Sequence, residues 1–249
     1  SNPAVTITDT VTALQANALA VLTSDVVTAT LASDAAATIN AALTDADVNA
    51  YSITLTDTTA SAADISDLNG KSDQNVDAAS VGTVTGTVAQ LNAAYAVGVT
   101  GLGNESITVT GGSISVIDAN LVAGLTSGAV TATLTTNSLN NLLGLNGTGH
   151  AYTLSVNDVL IDAADLKALD LMTTGMVTLT LATSVLGAYA DVDAVLSSSG
   201  VTGWSNPDVL VTNAVTIDQA NALASKTTGA LTADISSTSL ADYASLNED

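Results

Sequence analysis

The chain has no cysteine and no phenylalanine, and it holds only two prolines, one tryptophan and one histidine in 249 residues. Each gap excludes something. Without cysteine there is neither a disulfide framework nor a thiolate metal site. Lys71, Lys167 and Lys226 are the whole complement of lysine and arginine. Phosphate recognition needs clustered cations, so no nucleic-acid partner is expected. Twenty-four acidic residues set a formal charge of −21, which suits solubility, divalent cations or a saline exterior and is repelled by an anionic lipid surface. No stretch reaches the roughly 18 uninterrupted apolar residues of a spanning helix, so no direct membrane insertion is expected. Any export signal would lie outside these residues. Aromatic residues make up 2% of the chain. Large cores lean on aromatic bulk, so a core of Ala, Val, Leu and Ile must be thin, as it is in stacked repeats.

What is present is repetition. Residues 1–33 and 205–237 agree at about half of their positions without a gap, including the runs SNP and QANALA. GVTGLGNESITVT (98–110) likewise aligns with GVTGWSNPDVLVT (200–212). Ten β-like segments recur, at 5–8, 26–31, 51–56, 81–87, 106–111, 129–135, 151–157, 176–183, 208–214 and 230–236. They begin roughly every 25 residues, within the range of strand-plus-helix repeats. Between them lie helical patterns such as IDAADLKALD (161–170), VIDANLVAGL (116–125), TIDQANALA (216–224) and SAADISDL (61–68). Asp162, Asp118, Asp218 and Ser61 stand where N-caps belong. TTG at 173–175, TSG at 126–128 and TTG at 227–229 read as glycine exits through the left-handed region.

A strand–helix unit of this size cannot bury its apolar face alone, so neighbours must stack. Parallel strands joined by helical crossovers coil right-handedly. The expected fold class is therefore α/β: a right-handed solenoid of about ten strand–helix coils, with a parallel sheet and helices packed on one face. The chain reads as a single repeat domain, 1–249, with approximate units 1–50, 51–105, 106–150, 151–204 and an incomplete 205–249. One sheet or two are both compatible with the pattern. Neither end carries an obvious capping unit, as expected of a slice from a longer array.

No catalytic residues are expected and the chain reads as a non-enzyme. His150, in NGTGHAYTL, has no cysteine or recurring carboxylate beside it and reads as a turn residue. No nucleophile elbow or nucleotide-binding loop is present. Calcium is the one cofactor with candidate ligands. Asp73, Asn75 and Asp77 alternate in DQNVD, and Asp45, Asp47 and Asn49 alternate in DADVN. Alternate oxygens can converge on a hard cation, although the glycine and bidentate carboxylate of an EF-hand loop are missing. The strand-end series Asp9, Asp57, Asn157/Asp158 and Asn213, broken by Gly111, reads as a polar ladder or as caps on the following helices. Alternation also predicts an exposed threonine face: Thr28, Thr30, Thr54, Thr56, Thr108, Thr110, Thr131, Thr133, Thr178 and Thr180. Such rows are what β-propensity alone would place on an outer face, and they also offer a remote route to ice binding.

The IDAADLKALDLMTTGMVTLT and GVTGLGNESITVT units resemble the tandem-repeat regions of giant secreted bacterial cell-surface proteins, namely S-layer-like proteins and RTX-type adhesins of the cyanobacterial style. The GGxGxD calcium repeats are absent. The resemblance implies extracellular or cell-surface placement and a structural role as a segment of a fibre, surface layer or adhesin stalk. It implies self-association, end to end or lateral, as the main partnership. The alternative is an adhesive module that binds calcium or surface glycans.

Overall fold

Val27, Ala29 and Leu31 are buried while Thr28 and Thr30 face solvent, as the alternation predicts. A computed structural model describes residues 4–236, 239 and 242–246. The SNP run at 1–3 lies outside these residues, as do 237–238, 240–241 and 247–249 of the last expected unit. The chain divides into two compact units, residues 1–112 with 120–132, and 113–119 with 133–249.

The first unit runs β1 (Val5–Val11), α1 (Ala13–Ala20), β2 (Val27–Leu31), α2 (Ala36–Ala42), β3 (Ala50–Thr54), β4 (Thr59–Ser61), α3 (Ala62–Lys71), β5 (Val76–Asp77), β6 (Thr83–Gly86), α4 (Val88–Ala94), β7 (Val99–Thr100) and β8 (Ser106–Val109). Next come α5 (Val116–Ala123) and β9 (Val130–Thr133), each with residues in both units. The second unit continues with α6 (Leu139–Leu142), β10 (Ala151–Val156), β11 (Leu160–Asp162), α7 (Ala163–Met172), β12 (Val177–Leu179), β13 (Ser184–Gly187), α8 (Tyr189–Ser197), β14 (Val201–Thr202), β15 (Asp208–Val211), α9 (Ile217–Ala224) and β16 (Leu231–Thr232).

The α/β class holds, but a coil, meaning one repeat of the chain, is richer than one strand and one helix. A second strand follows β3, β5 and β7 before the chain turns into its helix, and the same happens after β10, β12 and β14. The expected ten segments mixed the two kinds and missed 59–61, 76–77, 99–100, 160–162, 184–187 and 201–202. Strands of two to four residues carry too little alternation to stand out. The strands form three parallel sheets, and within the first unit they neighbour in the orders β1-β2-β3-β5-β7 and β4-β6-β8-β9, within the second in the orders β10-β12-β14 and β11-β13-β15-β16.

The register stacks like on like. Ile53 lies opposite Val76, and Val76 opposite Val99. Ala60, Val84, Ile107 and Val130 form a second inward row. The second unit repeats this with Leu154, Val177 and Val201, and with Ile161, Val185, Val209 and Leu231. Helix residues Ile65, Leu68, Leu91, Leu166, Leu169, Val192 and Leu223 close these rows, each essentially inaccessible. A fully buried aliphatic side chain of this kind contributes about 1.5–3 kcal/mol. That packing, rather than helical propensity, holds helices shorter than the roughly 12–15 residues needed to persist alone. The same element order recurs along the chain: β4, α3, β5 and β6 begin at Thr59, Ala62, Val76 and Thr83, and β11, α7, β12 and β13 begin 101 residues later at Leu160, Ala163, Val177 and Ser184.

Local chemistry sets the helix starts. Thr12–Gln15, Thr87–Gln90 and Thr216–Gln219 form capping boxes, in which each threonine accepts from the N3 amide and the glutamine answers the cap's own N–H. Asp162 caps α7 as expected, accepting from Ala164 and Asp165. The other expected caps shift. Asp118 sits one turn inside, bonded to Ser115 Oγ; Asp218 lies within α9 behind Thr216; and Ser61 occupies the cap position without a side-chain bond.

The T-x-G glycines also differ from expectation. Among the described residues, Gly128, Gly175 and Gly229 do not adopt positive φ. They are small because the neighbouring coil is close. A Cβ there would lie 2.2 Å from Glu105 O, 2.2 Å from Tyr152 O and 2.4 Å from Pro207 O respectively.

Candidate functional site

Successive coils within each unit join at repeated polar staples. The hydroxyl two residues before each close-packed glycine accepts that glycine's N–H and donates to a carbonyl of the preceding coil. Thr126 donates to Glu105 O at 2.6 Å, Thr173 to Tyr152 O at 2.8 Å and Thr227 to Pro207 O at 2.7 Å. Their amide partners are Gly128, Gly175 and Gly229, each at 2.9 Å. Ser72 does the same between Tyr51 O and Gln74 N. These hydroxyls are buried, or partly so, and fully employed.

The strand-end polar series makes a second staple, in the direction opposite to expectation. Asp57 Oδ2 accepts from Ala36 N at 2.7 Å, Asp158 Oδ2 from Leu139 N at 2.6 Å, and Asn213 Oδ1 from Tyr189 N at 2.7 Å. Each side chain caps the helix of the coil before it, not the one that follows. Ala35 and Ala188, at the N-cap positions of α2 and α8, have no side-chain oxygen of their own, so the neighbouring coil satisfies an otherwise orphaned helix donor.

Most of the calcium candidates have hydrogen-bond partners within the chain. Asn49 is buried, its Oδ1 accepting from Val27 N at 2.9 Å and its Nδ2 donating to Asp45 Oδ2 at 3.0 Å and Asp47 O at 3.1 Å. It holds one coil to the next. Asp73 Oδ1 accepts from the neighbouring Gln74 amide, and Asp77 Oδ1 from Ala79 N. Asn75 is exposed. Among the described residues no group of three or more His, Cys, Asp or Glu side chains is placed to hold a metal ion.

The expected threonine face falls on different sheets. Thr28 lies opposite Thr6, and Thr30 opposite Thr10 and Ser52. Thr54 faces Asp77, and Thr178 lies beside Thr202, their hydroxyls 3.4 Å apart. The longest row is Ser61–Thr85–Thr108–Thr131, flanked by Thr59–Thr83–Ser106. Thr56, Thr110 and Thr180 lie just past the strands, and Thr133 ends β9. The corresponding sheet of the second unit bears Leu160, Leu186 and Leu210, with a groove of about 310 Å³ over Leu160, Asp208, Leu210 and Thr232.

Tyr51 and Tyr152, 101 residues apart, are both 1% exposed. Their hydroxyl oxygens have no hydrogen-bond partner among the described residues. Burial pushes both phenols up to about 12, with Asp45 adding to the effect on Tyr51. The unfolded chain releases these protons near the ordinary value of 10.0, whereas the folded chain retains them. The stability this confers is complete below pH 10 and is lost as pH rises toward 12. Melting temperature therefore falls across that window, and the tyrosinate absorbance contributed by Tyr51 and Tyr152, read as the difference from the Tyr51→Phe/Tyr152→Phe variant, rises together with unfolding rather than before it. Replacing both tyrosines by phenylalanine flattens the decline. His150, nearly buried, packs its ring 5.2 Å from that of Tyr152, and desolvation lowers its pKa.

Sequence reading missed two clusters. Glu105 is 3% exposed. Its Oε1 accepts from Tyr95 Oη and its Oε2 from the amides of Gly103 at 2.7 Å and Asn104 at 3.1 Å. Burial, followed by the bond to Glu105, drives the Tyr95 phenol upward. The aligned position in the later repeat is Pro207, so this carboxylate cradle is specific to one copy. The second cluster surrounds Lys71 between α2 and α3. Rarity was the available signal: Lys71 is one of three cations, and Glu105 stands in a chain whose acids are almost all aspartate.

No family model, curated protein or solved structure matches the chain. Among the described residues no helix is long and apolar enough to cross a membrane.

Proposed function

We propose that this chain is a structural repeat segment of an extracellular fibre, surface layer or adhesin stalk. It acts as a non-enzymatic spacer whose coils wind as a right-handed solenoid, and it associates with further copies of itself. The observation that carries this reading is the reciprocal stapling of successive coils. Asp57, Asp158 and Asn213 complete helices belonging to the coil before them, so a coil's polar ends are built to meet another coil. The near-absence of cations and the surplus of aspartate fit a surface held apart from anionic membranes. A second reading, a glycan- or ice-binding face, rests on the Ser61–Thr85–Thr108–Thr131 row.

Electron microscopy and sedimentation of the purified chain over a concentration series, with and without calcium, test the assignment. Filaments or lattices are expected. A chain that stays monomeric throughout and is retained on immobilised glycans replaces the spacer role with recognition. Thermal hysteresis in a cooled solution selects ice.

A further inference from the structure

Two of the three lysines meet carboxylates: Lys167 lies 2.7 Å from Asp191, and Lys226 pairs with Asp193. Lys71, the last residue of α3, meets an amide instead. Its Nζ donates to Asn40 Oδ1 at 2.6 Å, and to the carbonyls of Asn40 at 2.9 Å and Leu43 at 2.6 Å. On the far side of the same carboxamide, Asn40 Nδ2 donates to Asp64 Oδ1 at 3.0 Å and reaches Asp67 Oδ2 at 3.4 Å. Amine, carboxamide and carboxylate thus converge between α2 and α3 of the first unit. Asn40, Asp64 and Lys71 are all half-buried.

We propose that Lys71 and Asn40 join through an intramolecular isopeptide bond, with Asp64 as the proton-transferring carboxylate. The Lys71 ammonium first gives a proton to solvent. The neutral amine attacks Asn40 Cγ, forming the new C–N bond and a tetrahedral adduct. Asp64 carries a proton from the attacking nitrogen to Nδ2. The Cγ–Nδ2 bond then breaks and ammonia leaves, taking up a proton from solvent as ammonium. One amine and one primary amide become one secondary amide and one ammonium ion, with no oxidant and no external acyl donor.

The three carbonyl contacts do the work of positioning, since they hold Nζ against a single amide while α2 and α3 fix the distance. Well-oriented intramolecular reactions of this kind reach effective molarities of about 10⁵–10⁸ M. The bond would tie two consecutive coils covalently across 31 residues of chain. Such a tie would serve a spacer under tension, but the chemistry does not depend on that role.

Intact mass and peptide mapping of the purified full chain decide the matter. The expected result is a mass lower by one ammonia, and an Asp-specific digest in which the peptide holding Asn40 is linked to the one holding Lys71. Lys71→Arg keeps the cation, removes the nucleophile and restores the full mass. Asp64→Ala leaves the circular dichroism unchanged and the two peptides separate. A full-mass wild-type chain with separate peptides overturns the bond. So does an ammonia deficit that persists in Lys71→Arg, as a succinimide at Asn69–Gly70 would produce. Linkage that proceeds equally in Asp64→Ala overturns the role of that carboxylate.

Discussion

Replacing Glu105 by alanine is expected to weaken the loop around Gly103 by about 3 kcal/mol, because three donors lose a buried, charged acceptor at about 1 kcal/mol each. Tyr95 Oη and the amides of Gly103 and Asn104 all terminate on this one carboxylate. Alanine removes both oxygens of a side chain that is only 3% exposed. Hydrogen exchange gives the local readout: protection of the Gly103 and Asn104 amides falls about 100-fold, while that of the buried β10 amides is unchanged. Glu105→Gln, which retains an acceptor but not the charge, loses less. A variant whose exchange matches the parent would show that the cradle contributes nothing to holding the loop.

Gly203→Ala carries the second large effect, about 3 kcal/mol in equilibrium denaturation, from roughly 1–2 kcal/mol of left-handed backbone strain and the remainder from overpacking. Gly203 has φ +92°, and a Cβ there would lie 2.1 Å from Leu179 O in the coil below. Gly149 separates the two contributions. It has φ +81°, but nothing lies within 4 Å of the added atom. Gly149→Ala should therefore show the strain alone, and the difference between the two variants measures how tightly the coils approach. Equal losses would mean that the β12–β14 region relaxes around the methyl group.

Both positions show where local pattern stops being informative. The alternation of Val27, Ala29 and Leu31 with Thr28 and Thr30 was readable because inward and outward side chains differ in kind. The capping of α7 by Asp162 was readable because the bond spans three residues. Gly175 was recognised as special, but for the wrong reason: its neighbour Tyr152 O belongs to another coil, and nothing within a few residues of Gly175 announces it. Asn49 also has a distant partner: Val27 N, 22 residues earlier, donates to its Oδ1, and nothing in the alternating run DADVN announces that bond. The short strands β5, β7 and β14 went unseen because two residues cannot display a period.

The sequence by itself determined the α/β class, the tandem recurrence, the aliphatic character of the core and the positions of most helices, all of which follow from hydrophobic periodicity and short-range capping. Only the tertiary structure decided that the strands divide among three sheets, that Asp57 caps α2 rather than α3, and that Lys71 rests on Asn40. Those partners lie about one coil apart along the chain. Which of them meet depends on the length of each turn and on the register in which aliphatic rows stack, quantities that accumulate over a whole coil and leave no trace in any short window.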